Sequence, residues 1–242
     1  MKAMLFAAGL GTRLRPLTND KPKALVEVGG MPLLEIAIRR LMYFGCRDIM
    51  VNIHHFGQQI LDFLEANENF GVNITVSDER NQLLDTGGGL KKAAWFFQDA
   101  PFLVHNTDIL SNIDLRALFQ AHLLEAPLAT LSVRKRQTSR YLLFDDGGRL
   151  SGWRHARTGE ERICRPAAHY HPLAFSGIYV LSPGIFSYMP DEEVFSIIDV
   201  FLQAGQTETL LAYRHDDSLW LDVGKPAALE QAQEAIGEIA LG

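Results

Sequence analysis

Short apolar runs alternate with stretches of helical period through the first half of this 242-residue chain. Ala3–Ala8, Asp48–His54, Val72–Ser77 and Phe102–His105 read as strands. Pro32–Phe44, Gln58–Asn69, Gly89–Phe97 and Leu115–Leu124 read as helices. Strands joined by helical crossovers are parallel and covered on both faces, so their sequences run apolar without a break. The pattern predicts an α/β fold with a mixed, mainly parallel sheet flanked by helices. In Pro32–Phe44 the period turns Leu33, Ile36, Ala37 and Leu41 inward and Arg39 and Arg40 outward. Past Pro127 the rhythm changes. Leu128–Val133, Tyr141–Phe144, Leu150–Trp153 and Phe175–Leu181 read as strands, with a hairpin turn at Asp145-Asp146-Gly147-Gly148. His155–Pro172 reads as a long loop, Glu193–Ala204 as a helix, Thr209–Tyr213 as a short strand and Pro226–Ile239 as a closing helix.

The first strand ends in Ala8-Gly9-Leu10-Gly11-Thr12-Arg13. Two glycines after a buried strand suit a sharp turn whose backbone lies against a ligand. Amides in such a turn can point at phosphate oxygens. Arg13, Arg15, Lys21 and Lys23 follow as mobile positive charge, with Pro16 and Pro22 stiffening the path between them. A nucleoside triphosphate suits such a turn. Two better-known phosphate loops fit worse. No Gly-Lys followed by Ser or Thr is present, and Leu14 stands where a dinucleotide fingerprint has its third glycine. A second signal is Phe102-Leu-Val-His-Asn-Thr-Asp108, an apolar run that delivers a carboxylate at the end of a strand, where open α/β sheets bind ligands.

The stretch Leu5–Leu25 resembles the signature of the nucleotidyltransferases that make nucleotide sugars: Ala-Gly-x-Gly-Thr-Arg, then Pro-Leu-Thr, then Pro-Lys. Trp220-Leu-Asp222-Val-Gly-Lys-Pro226 resembles the family's late Trp-x-Asp-x-Gly-Thr-Pro, with Lys225 in place of threonine. Glu79 and Leu84-Asp-Thr86-Gly-Gly-Gly89 resemble the segment around the nucleobase, with Asp85 as a departure. That segment and Gly57-Gln58-Gln59 are most similar to the short bacterial N-acetylmuramate-1-phosphate uridylyltransferases.

The resemblance implies one nucleotidyltransferase domain over residues 1–242, Rossmann-like, with a nucleotide-binding half to about residue 126 and an acceptor-binding half beyond it. It implies that a nucleoside triphosphate, UTP before GTP and CTP, reacts with a sugar 1-phosphate to give a nucleotide sugar and pyrophosphate, as in the supply of cell-wall or surface polysaccharide. Arg13 and Lys23 would be the catalytic cations. Ala8, Gly9, Gly11, Thr12, Arg13, Lys23, Glu79, Thr86, Gly87 and Gly88 would bind the nucleotide. Asp108 and Asp222 would hold Mg²⁺, each ending a strand on the same edge of the sheet. Asn106 and Gly177 would meet the acceptor, and Asp145 is read either as a contact to a sugar hydroxyl or as a solvated hairpin residue. Arg154, Arg157, Arg162 and Arg165 are unranked candidates for its phosphate. Two rival readings are a cytidylyltransferase for phosphocholine or a similar phospho-alcohol, and a non-catalytic nucleotide-binding subunit.

A net charge of -6 argues against a general nucleic-acid or anionic-membrane binder. Cys46 and Cys164 stand alone, with no Cys-x-x-Cys pair to suggest zinc or a disulfide framework. The apolar start is at the short end of what a signal peptide needs, and no run approaches a membrane span. A reducing, cytoplasmic setting is expected, with no membrane or nucleic-acid partner and the oligomeric state left open. No hexapeptide-repeat tail follows the closing helix, so no second activity is expected. The histidines have no metal spacing, and Trp95, Phe96 and Phe97 read as core.

Overall fold

A computed structural model describes residues 1–241. The fold class is the expected one: α/β, with parallel strands, a mixed sheet and helices. The chain divides into two compact units that interleave in sequence. Of the described residues, the first holds 1–84, 103–113 and 218–241, and the second 85–102 and 114–217.

In the first unit, parallel strands lie in the order Asn73–Asp78, Asp48–Ile53, Lys2–Phe6, Phe102–Asn106. Lys2–Phe6 has a neighbour on each edge, and its Ala3, Met4 and Leu5 are fully buried. The helix Leu33–Tyr43 turns Leu33, Leu34, Ile36, Ala37, Ile38 and Leu41 inward, as its period requires. Arg40, expected outward, is 2% exposed. Its Nη2 donates to the Ile113 carbonyl, so a backbone acceptor overrides the helical period there. A second apolar cluster joins the two ends of the chain: Leu14, Val26, Val28 and Leu33 pack with Leu110, Val223, Leu229 and Ala232. It seats the closing helix, which is α-helical over Pro226–Ala235 and ends in the short 3-10 turn Ile236–Glu238.

The second unit is built on the long strand His171–Leu181. One edge pairs antiparallel with Ala129–Arg134 along residues 174–181 and with Arg140–Phe144 along residues 171–173. Leu210–Arg214 runs parallel outside Ala129–Arg134. Leu150–His155 and then Glu161–Ile163 continue antiparallel from Arg140–Phe144. Two expectations change here. His155–Pro172 is not all loop, because Glu161–Ile163 forms a hairpin strand and His171 already lies in the long strand. The short strand has no apolar alternation, since all three of its residues are exposed. The helix expected from Glu193 starts at Ile197, where the Ser196 hydroxyl caps it by accepting from the Ile198 amide. Asp114 caps Leu115–Glu125 in the same way, accepting from the amides of Arg116 and Ala117. Of the aromatic trio, Phe97 is core and stacks on Phe102, while Trp95 is 64% exposed.

Candidate active site

The opening strand stops at Phe6, and the next two amides turn to Asn52. Asn52 is 2% exposed on the neighbouring strand. Its Oδ1 accepts from the Ala7 amide at 2.7 Å and from the Ala8 amide at 3.3 Å. The chain then enters the glycine turn. Gly11 is left-handed at φ 65°, and a Cβ there would lie 3.0 Å from both Lys23 Cβ and Thr18 Cγ2. The Thr18 hydroxyl and the Leu14 amide both donate to the Gly11 carbonyl. The turn is thus folded back on the segment that carries Lys23. Nothing stands within 4 Å of where a Gly9 Cβ would be. Thr12 and Arg13 are exposed.

Lys23, read from the sequence as mobile positive charge, is 8% exposed and ion-paired with Asp108 through Nζ and Oδ2. Lys23 opens the 3-10 turn Lys23–Leu25, entered from extended Pro22, in which Ala24 is buried beside it. Asp108 follows the strand Phe102–Asn106, as read from the sequence. Asp222 does not end a strand of the parallel sheet. It closes a separate two-stranded ribbon in which Trp220–Asp222 runs antiparallel to Ile109–Ser111. Asp222 lies opposite Ile109, and the Val223 amide donates to the Asp108 carbonyl at 2.9 Å. The backbones of the two aspartates therefore adjoin. Both three-residue strands are too short for a periodic signal, so this pairing was not readable beforehand.

Gly224 completes the cluster. A Cβ there would sit 2.6 Å from Arg13 Nη2 and 2.7 Å from Asp222 Oδ1. A side chain there would push the guanidinium or the carboxylate out of its present place. Asp222 Oδ1 is buried and accepts no hydrogen bond. An ionised oxygen without a donor is costly, and a cation is the partner that removes the cost. Two carboxylates beside a phosphate-type loop match the ligand set of Mg²⁺, which takes one or two carboxylates and fills its remaining positions from phosphate and water. Among the described residues no group of three or more His, Cys, Asp or Glu side chains could hold a metal ion. The donor set thus fits a metal shared with a phosphate ligand rather than one caged by protein alone.

The remaining candidates are placed as follows. Glu79 is 1% exposed, with Oε1 accepting from Asn52 Nδ2 at 2.8 Å and Oε2 from the Leu84 amide at 3.2 Å. Its carboxylate is committed to protein partners. Thr86, Gly87 and Gly88 lie inside the helix Asp85–Lys92, which starts four residues before the expected Gly89. There they serve packing. A Cβ on Gly87 would meet Phe195 Cδ2 at 2.4 Å and the Phe195 carbonyl at 2.8 Å. The amides of Gly87 and Gly88 donate to that carbonyl, and the Thr86 hydroxyl accepts from the Ile197 amide. Asn106 ends its strand partly exposed. Gly177 falls at the register shift between Phe175 and Tyr179.

Asp145 closes the hairpin turn, with Oδ1 accepting from the Arg149 amide and Oδ2 from Arg149 Nε, each at 2.8 Å. Burial works against its charge, but these hydrogen bonds outweigh it and hold the carboxyl below its ordinary range. It also lines a cavity of about 560 Å³ in the second unit, with Lys135, Phe144, Asp146, His171 and Arg214. Three of the four arginine candidates are engaged: Arg154 with Glu161, Arg162 with Asp199, and Arg165 with the carbonyls of Gly205 and Glu208.

Parallel strands that deliver a glycine turn and a lysine–aspartate pair, with a short antiparallel ribbon that adds a second carboxylate near an arginine, define a phosphate-handling α/β protein. The profile of the family described as nucleotidyl transferase matches residues 2–238. The chain belongs to that family. It is 33% identical to the N-acetylmuramate alpha-1-phosphate uridylyltransferase of Caulobacter vibrioides, over 98% of this chain and 97% of the relative. The protein of that description in Neisseria meningitidis is also 33% identical, over 98% and 99%. Among solved structures, a putative glucose-1-phosphate thymidylyltransferase from Bacillus anthracis superposes with a TM-score of 0.81 at 21% identity, covering 100% of this chain and 97% of that one. That likeness supports the fold.

Proposed function

We propose that this protein transfers a nucleotidyl group from a nucleoside triphosphate, UTP first, to a sugar 1-phosphate, releasing pyrophosphate. A single nucleotidyltransferase domain spanning the chain is part of this reading. The observation that carries it is the cluster in the first unit: the Gly9–Thr12 turn, Arg13 beside Asp222 at Gly224, and Lys23 on Asp108. UTP is favoured because relatives matched over nearly their whole length are named uridylyltransferases. An N-acetylated sugar 1-phosphate is the first acceptor to try, for the same reason.

The acceptor phosphate oxygen attacks the α-phosphorus, and the bond from the α-phosphorus to the bridging oxygen of pyrophosphate breaks. The attacking monoester is largely dianionic near neutrality, since its second pKa is about 6, and needs no general base. No histidine need lie at the reacting atoms. The turn amides from Gly9 to Thr12 orient the triphosphate. Arg13 and Lys23 offset the charge that gathers on the phosphates. Asp108 and Asp222 would hold a divalent cation, which when bound draws charge from the α-phosphate and the leaving pyrophosphate. Lys23 is the counter-charge that keeps Asp108 in place before that happens. Thr86, Gly87 and Gly88 are assigned to the base and Asn106, Gly177 and Asp145 to the acceptor.

A pyrophosphate-release screen decides this. Four triphosphates are offered against sugar 1-phosphates and phosphocholine, with and without Mg²⁺. Release with UTP and a sugar 1-phosphate, dependent on Mg²⁺, is the expected result. Turnover only with CTP and phosphocholine, or none with any pair, would overturn it.

A further inference from the structure

We propose that Asn52 and Glu79 are positioning residues: a buried amide–carboxylate strut that fixes which amides of the opening turn are offered to the triphosphate. The inference rests on the nucleotide reading above. Neither side chain touches the ligand in it.

The starting point is an asparagine in a run that is otherwise apolar, Ile49-Met-Val-Asn52-Ile53. Asn52 and Glu79 are 2% and 1% exposed. Two aliphatic side chains would fill their space without the desolvation cost of a buried amide and carboxylate. What aliphatic side chains cannot do is hold two consecutive backbone amides. Asn52 Oδ1 takes those of Ala7 and Ala8. In a strand, successive amides point to opposite edges. Turning two in a row toward one acceptor ends the strand at Phe6 and withdraws both amides from any ligand. The first amide left to face a phosphate is that of Gly9.

Glu79 fixes the direction of the Asn52 amide. Oε1 accepts from Nδ2 at 2.8 Å, so Oδ1 must face the loop. A flipped amide would set NH₂ against the amides of Ala7 and Ala8 and a carbonyl against a carboxylate. Glu79 is itself pinned: Oε2 accepts from the Leu84 amide, the Glu79 amide donates to the Ile53 carbonyl at 2.8 Å, and His54 Nδ1 meets the Glu79 carbonyl at 2.7 Å. The strut thus ties the end of the first strand to the segment that follows Asn73–Asp78.

The polarity of the pair can be reversed, and that supplies the test. In Asn52→Asp the new carboxylate still accepts from Ala7 and Ala8 but its second oxygen faces Glu79 Oε1, and two carboxylates repel. In the Asn52→Asp/Glu79→Gln double variant, the glutamine NH₂ donates to the new carboxylate and its carbonyl accepts from Leu84. The KM for UTP should rise about tenfold or more in Asn52→Asp, a loss of roughly 1.4 kcal/mol. The acceptor KM should stay within about twofold, and the double variant should recover most of the UTP KM, a pattern that a general loss of stability does not produce. Hydrogen exchange at the Ala7 and Ala8 amides gives a reading without turnover: slow in the wild type and the double variant, fast in Asn52→Ala. If the wild type turns over no triphosphate, the proposed function fails while exchange still decides the strut. A double variant as impaired as Asn52→Asp, unchanged UTP KM in Asn52→Asp, or fast exchange of Ala7 and Ala8 in the wild type overturns the inference.

Discussion

Gly9 and Lys23 separate what the loop needs to fold from what it needs to bind. Nothing meets a Cβ at Gly9 within 4 Å, so the protein has no steric need for glycine there. Gly9→Ala should unfold within about 1 °C of the wild type, since surface changes cost little. If a phosphate passes close over this backbone, the same methyl should raise the KM for UTP about tenfold or more. Calorimetry and initial rates check both halves. Lys23 behaves differently, because it is buried on Asp108. Lys23→Met keeps the aliphatic packing and removes the charge. Turnover should fall roughly a hundredfold, the scale for one lost electrostatic contact in a transition state. The two aspartates should diverge as well. Asp222→Asn removes a buried oxygen that has no donor, so stability should hold or rise while Mg²⁺-dependent pyrophosphate release is lost. Asp108→Asn strips Lys23 of its counter-charge, so the unfolding midpoint should drop as activity goes. Equal stability effects from the two substitutions would contradict the charge arrangement described here.

At the scale of elements, the triple glycine Gly87-Gly88-Gly89 joins two demands. The sequence shows a glycine-rich helix start, and resemblance assigns it to the base. In the fold, Gly87 lets the helix Asp85–Lys92 press against Phe195, whose carbonyl takes two of the helix's first amides. Gly87→Ala should therefore destabilise the protein by about 1–3 kcal/mol, the cost of overpacking a tight contact. Thermal unfolding in the absence of nucleotide measures this, and an unchanged midpoint would show that the Phe195 contact is dispensable. The two helix starts are tied to each other, because the Phe195 carbonyl accepts from the amides of Gly87 and Gly88 and the Thr86 hydroxyl accepts from the Ile197 amide.

For the whole molecule, buried neutral histidines set the acid response. His122 bonds to the hydroxyls of Thr130 and Ser182, and His215 to that of Ser176. Burial lowers each from 6.5 to about 4, helped at His215 by Arg134. The unfolded chain takes up these protons as pH falls through 6.5, and the folded chain does so only near 4. Stability should thus be full above pH 6.5, decline between 6.5 and 4, and level off below. The slope is at most about 1.4 kcal/mol per pH unit for each histidine. Urea unfolding at a series of pH values measures it, and His122→Gln should flatten part of the decline. A stability curve that stays level from pH 7 to 5 would contradict the neutral burial of these rings.

The features legible in the amino-acid order are local in cause. Apolar runs between helical periods specify α/β, because a strand covered on both faces must be apolar throughout. The glycine turn after Ala8 and the aspartate after Phe102–Asn106 lie within a few residues of the strands that aim them, and the long motif at Leu5–Leu25 carries the family. Only the tertiary structure decided the rest. Asp222 reaches Asp108 through a ribbon of three-residue strands, which have no period to read. Lys23 and Arg40 are cations whose burial depends on partners far along the chain, Asp108 and the Ile113 carbonyl. The hydrogen bond that Glu79 accepts from Asn52 could not be read from spacing either, because its donor sits on a strand some 27 positions away in the chain. A charged side chain's role follows from the partner that neutralises it, and that partner is brought near by folding rather than by spacing in the sequence.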